Sequence, residues 1–166
     1  RYAAFAAQIR HIVVDDVPVT DDPWVREHHQ RECIRRGLFD AASDDTVIVS
    51  DADELLRGAA IAEAVARGTF CYFTQDLFYF HLNWRVASVA ARLWTKAYAA
   101  PMSVLARMPS LSTPREGDPL GNVARDGLDP SRAIVDHAGW HFAWAGGVDR
   151  LLTKMNAFAH TEHQVQ

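Results

Sequence analysis

Residues 47–55 read VIVSDADEL, and this stretch decides the fold reading. An apolar, β-branched run, preceded by Thr46, ends in Asp51, Asp53 and Glu54 within four positions. Such a run suits a central strand covered on both faces. Like charges this close repel, and one carboxyl should protonate unless a cation sits among them. The sequence therefore expects something positive at the end of this strand.

Working outward, HIVVDDVP reads as a short strand from His11 to about Asp15. TDDPWVREHHQRECIRRG carries helix signals: Asp22 as N-cap, Pro23 in the first turn and Gly37 as the stop. ELLRGAAIAEAVARG returns as a helix ending at Gly68. TFCYFTQDLFYFHLNW suggests two strands with a break near Gln75-Asp76. Residues 85–108 read as helix or strand. Residues 109–132 gather prolines and glycines and read as a long surface loop. AIVDHAGWHFAWAGG is strand-like, and VDRLLTKMNAFAH is an amphipathic helix. The β-α-β-α-β order predicts a single α/β domain over 1–166, a Rossmann-type sandwich with a mostly parallel sheet. In such sheets ligands bind beyond the carboxyl ends of the strands, where Asp51 and Asp53 stand.

The bulk numbers are those of a globular chain. Its 166 residues are 49% hydrophobic and 23% charged, with a formal net charge of −4. No Lys/Arg block points to nucleic acid. No apolar run reaches the roughly 20 residues that span a bilayer. Cys33 and Cys71 read as two buried free thiols, which fits a reducing compartment.

The acidic cluster has three readings. Asp53 could cap a helix starting near Leu55. Asp51 and Asp53 could hold a divalent metal that also binds a diphosphate. Asp51 could be a phosphatase nucleophile, but Leu55 stands where that motif carries Thr or Val, and no downstream acidic pair completes it. A second cluster lies in DHAGWHFAWAGGVDRLLTKMNAFAH. His141 sits between Trp140 and Trp144. Gly146 and Gly147 precede a helix, where backbone N–H groups can face a phosphate. Lys154 lies within that helix and His160 at its far end. His141 and His160 are candidate metal ligands.

Together, DDTVIVSDADEL and AGWHFAWAGGVDRLLTKMNAFAHTEH resemble glycosyltransferase family 17, the family of a β-1,4-N-acetylglucosaminyltransferase. The matching positions are Ser50, Asp51, Asp53, Glu54, Gly139, Trp140, His141, Trp144, Gly146, Gly147, Lys154, Phe158 and His160. Ala143 and Ala159 replace the family's usual serines. IRHIVVDDVP and WVREHHQRECIRRGL also look like the family's upstream segment, so the likeness runs along nearly the whole chain.

The resemblance implies a GT-A-type fold and an inverting transfer of a sugar, by default GlcNAc, from a UDP-sugar to a glycan or glycolipid hydroxyl. It implies Mn²⁺ or Mg²⁺ on Asp51 and Asp53. Asp51, Gly146, Gly147 and Lys154 would meet the donor, and Trp140 and Trp144 would stack on sugar. Inversion needs a carboxylate base, with Asp136 and Glu54 as candidates. A further βα unit is expected ahead of Arg1. The Ala-, Arg- and Asp-rich style suggests a bacterial-type, cytoplasmic enzyme with peripheral membrane association open. The rival reading is a nucleotide-sugar or carbohydrate-binding domain without turnover.

Overall fold

The computed structural model of the protein describes residues 2–87, 93–118, 121 and 133–157. Among these residues six strands form one curled, mixed sheet: β1 (Thr46–Val49), β2 (Glu54–Leu56), β3 (Cys71–Tyr79), β4 (Leu93–Trp94), β5 (Tyr98–Pro101) and β6 (Ile134–Ala143). The order is β1-β5-β3-β6-β2, with β4 pairing β3 off that path. Among the described residues four α-helices accompany it: α1 (Pro23–Glu32), α2 (Gly58–Arg67), α3 (Met102–Leu105) and α4 (Val148–Ala157).

This overturns the GT-A-like, Rossmann-type sandwich with a mostly parallel sheet, because among the described residues β3 with β6 is the one parallel pair. The expected β-α-β unit does put β1 and β3 in the same direction. However, β5 inserts between them and pairs antiparallel with both. A β-branched run signals a strand but neither its neighbour nor how many of its faces are covered. β1 is consequently an edge strand of alternating burial rather than a central one.

Three smaller corrections follow from local chemistry. His11–Asp15 forms no strand, and the segment stays irregular. CYFTQDLFY (Cys71–Tyr79) is a single strand, since Gln75 is fully buried and continues the ladder to Gly139. The helix expected directly after Asp53 starts only at Gly58, because Glu54–Leu56 first pairs antiparallel with Gly139–His141. Asp53 therefore caps no helix. Arg57 takes the N-cap position of α2.

Other local signals hold. Asp22 accepts a hydrogen bond from the Trp24 amide at 2.9 Å and starts α1 before Pro23. Gly68 closes α2 in the left-handed region, φ 58°. Side-chain alternation gives two cores, one per face of the sheet. Val47, Val49, Tyr72, Tyr98 and Ala100 pack with Leu105 and Leu111 on one face. Cys71, Phe73, Ala97, Ala99 and Val135 pack on the other against Ala60 and Ala64 of α2, where small residues let the helix lie close. Both cysteines are free and buried. No helix among the described residues is long and apolar enough to cross a membrane.

Candidate functional site

β1, β3 and β6 all point their carboxyl ends the same way, and the two sequence clusters meet there. The ladder Glu54↔His141, Leu55↔Trp140, Leu56↔Gly139 joins them directly. The Phe142 amide also donates to the Asp53 carbonyl at 3.0 Å. Gly139 permits this approach: a Cβ there would lie 2.0 Å from the Leu55 carbonyl oxygen. Only glycine fits, which gives the first residue of Gly-Trp-His a structural reason.

The positive charge expected among the carboxylates is supplied by the chain itself. Arg115 donates to Asp51 at 2.6 Å and to both oxygens of Glu54 at 3.0 and 3.1 Å. Arg31 lies 3.6 Å from Asp51. Lys154 donates to Asp53 at 3.0 Å. Glu54 is fully buried, and Arg115 is 6% exposed at its side chain. Burial works against the Arg115 charge, but Glu54 and Asp51 hold its pKa above the ordinary value. Nothing in the sequence singled out Arg115. It sits in the Pro/Gly-rich stretch read as a surface loop, yet Leu111, Ser112, Pro114 and Arg115 are all buried.

Each Glu54 oxygen serves two donors. Oε1 takes Trp94 Nε1–H and Arg115 Nη2–H; Oε2 takes Arg115 Nη1–H and the Asp51 amide at 2.7 Å. Glu54 is thus a structural acceptor below the surface. Asp136, the other candidate base, lies near the opposite end of β6 and bonds Thr74 at 3.1 Å. A bulge in β6 lies between them: Asp136 is level with Thr74 and His141 with Leu77, three β3 residues further on, roughly 10 Å. The structure does not bring Asp136 to the Asp51–Asp53 cluster.

His141 is buried, and its ring stacks on Trp94 at 4.3 Å between centroids. Its Nδ1 has no hydrogen-bond partner among the described residues, and stands 3.8 Å from Asp53 Oδ1 and 4.0 Å from Glu54 Oε1. Burial pushes its pKa down, against the pull of Asp53 and Glu54.

Beside this network lies an open cleft of about 410 Å³ whose lining includes Asp53, Leu55, Phe142, Trp144, Arg150 and Lys154. Asp53 is the one carboxylate on its described wall, which also carries two cations, Arg150 and Lys154, and two aromatic rings, Phe142 and Trp144. Trp144 holds φ 61°, unusual for a bulky side chain, and turns the chain out of β6. Lys154 stands 5.3 Å from the centre of its ring. Gly146 and Gly147 follow with positive φ and lead into α4. Trp140 is elsewhere, stacked under Arg57 at 4.1 Å. His160 lies outside the described residues.

A divalent ion, as the resemblance implies, would find two suitable donors. Asp53 Oδ1 and the orphaned His141 Nδ1 face each other, and hard oxygen with imidazole suits Mn²⁺ better than Mg²⁺. Asp51 is already neutralised by Arg115 and Arg31.

Comparisons with known proteins place no relative beside this site: no family model, curated protein or solved structure matches the chain.

Proposed function

We propose that the chain is a glycosyltransferase that takes a UDP-linked sugar, by default GlcNAc, and passes it to a glycan hydroxyl, in line with its resemblance to family 17. The observation that carries this reading is the β2–β6 ladder. It sets the acidic motif against the Gly-Trp-His motif and gathers Asp53, Trp144, Arg150 and Lys154 around one cleft.

Those residues suit a sugar diphosphate. Lys154 and Arg150 supply positive charge to phosphate oxygens. Trp144 offers a face to a sugar ring or base. Asp53 and His141 would hold the divalent ion, with Asp51 behind them. When bound, the ion supplies charge neutralisation to the departing diphosphate. Lys154 would then exchange its bond to Asp53 for one to phosphate, leaving Asp53 free for the ion.

Calorimetric titration of UDP with and without Mn²⁺ tests the reading. Mn²⁺-dependent binding, lost in Asp53→Ala and weakened in Lys154→Ala, would support it. A second reading, a nucleotide-sugar-binding domain without turnover, draws on the protein cations already paired with Asp51 and Asp53. Binding that ignores Mn²⁺, with no transfer to any glycan acceptor, would favour that alternative. No UDP binding by a folded protein would sink both.

A further inference from the structure

Away from the cleft, Asp16, His29 and Cys33 bring one oxygen, one nitrogen and one sulfur within 4.8 Å of one another. His29 and Cys33 are one turn apart, from α1 into the short 3₁₀ turn Cys33–Gly37 that follows it. Asp16 comes from the irregular segment that runs ahead of α1. His29 Nε2 stands 3.3 Å from Asp16 Oδ1 and 3.7 Å from Cys33 Sγ.

One nitrogen faces both a thiol and a carboxylate. If Nε2 carries a proton, it can donate to Asp16 but offers Cys33 no acceptor. If bare, it can accept from Cys33 but turns a lone pair toward the Asp16 oxygen. A catalytic relay would use both ring nitrogens, so this is not one. A cation at the centre satisfies all three atoms at once. Zinc bond lengths of about 2.0–2.3 Å at tetrahedral angles give ligand separations of roughly 3.3–3.6 Å, close to both distances.

We propose that Asp16, His29 and Cys33 form a zinc site, with the fourth position left to water. Thiolate and imidazole select zinc over the hard ions suited to Asp53. Arg36 donates to the ligating oxygen of Asp16 at 2.9 Å, as outer partners of ligating carboxylates do. The ion would pin the irregular segment around Asp16 onto α1. Binding exchanges three of the ion's water ligands for the Asp16 oxygen, the His29 nitrogen and the Cys33 sulfur, and releases those waters and the Cys33 thiol proton to solvent.

Cobalt titration of the whole chain tests this, because a thiolate–Co²⁺ charge-transfer band reports sulfur ligation that carboxylate sites cannot give. The expected result is one equivalent of Co²⁺ with that band, displaced by Zn²⁺. Cys71→Ser and Asp53→Ala should keep the band. Cys33→Ser should abolish it, and Asp16→Asn should weaken binding at least tenfold. Since Cys33 is buried, His29→Gln, at a 25%-exposed side chain, is the second variant and should also abolish the band. No band in the native chain at tenfold excess Co²⁺ would overturn the proposal. So would a band surviving in folded His29→Gln, or unchanged affinity in Asp16→Asn.

Discussion

Glu54→Gln removes one charge and almost no volume, so its cost isolates the hydrogen-bond cage. The carboxylate accepts four N–H groups, two at each oxygen. An amide keeps one oxygen and replaces the other with a donor. If the nitrogen takes the Oε1 position it meets Trp94 and Arg115; at Oε2 it meets Arg115 and the Asp51 amide. Flipping cannot rescue it, because two donors are orphaned either way. Each bond to a charged group is worth about 1.5–3 kcal/mol, so the loss of two should be about 3–6 kcal/mol. That is a large share of a domain's total stability. Urea unfolding of native and variant protein, read by tryptophan fluorescence, measures it. Arg115→Met should cost a similar amount by stranding the buried carboxylate, and the double variant should fall about 1–3 kcal/mol short of the sum. A loss below about 1 kcal/mol for Glu54→Gln, or strict additivity with Arg115→Met, would refute the four-donor cage.

Gly139→Ala and Gly68→Ala should differ sharply although both glycines lie at positive φ. At Gly139 the new Cβ meets backbone at 2.0 Å and the β2–β6 ladder must open, a loss above about 4 kcal/mol, or no soluble folded protein at all. At Gly68 the space is open, and strain alone should cost about 1 kcal/mol by the same urea assay. Tyr98 is buried and donates to the Leu111 carbonyl at 3.0 Å, and burial raises its pKa above the ordinary value near 10. Above pH 10 the unfolded chain therefore loses a proton that the folded chain keeps, and stability falls as pH rises. Tyr98→Phe should cost about 1 kcal/mol at pH 7 and shift the alkaline unfolding midpoint upward relative to the native fall. Arg57→Ala, which bares the Trp140 ring, should cost about 0.5–1 kcal/mol in urea unfolding and leave UDP binding unchanged.

Several elements were legible because their causes are local. Asp22-Pro23 and Gly68 mark helix ends through capping geometry within a few residues. β6 and α4 were legible from patterning over one short window. The sheet was not, since β5 wedges between β1 and β3 for reasons no single strand carries. The acidic motif foretold a cation, and three protein cations answer it. Arg115 was invisible because it lies in a stretch with loop composition and its carboxylate partners are more than sixty positions away. Trp140 and Trp144 look alike in sequence, yet one lies under Arg57 and the other on the cleft wall.

The β2–β6 ladder also fixes when the site comes into being. Glu54 and His141 are about 90 positions apart, so their pairing closes a long loop whose entropy must be met before any contact there stabilises the chain. Such distant contacts form late in folding. The cleft wall is therefore among the last parts of the molecule to assemble. A ligand bridging Asp53 and Lys154, which stand on opposite sides of that closure, would act as its clasp. It should slow unfolding more than it speeds folding, and nascent chains would have no cleft until α4 has been made.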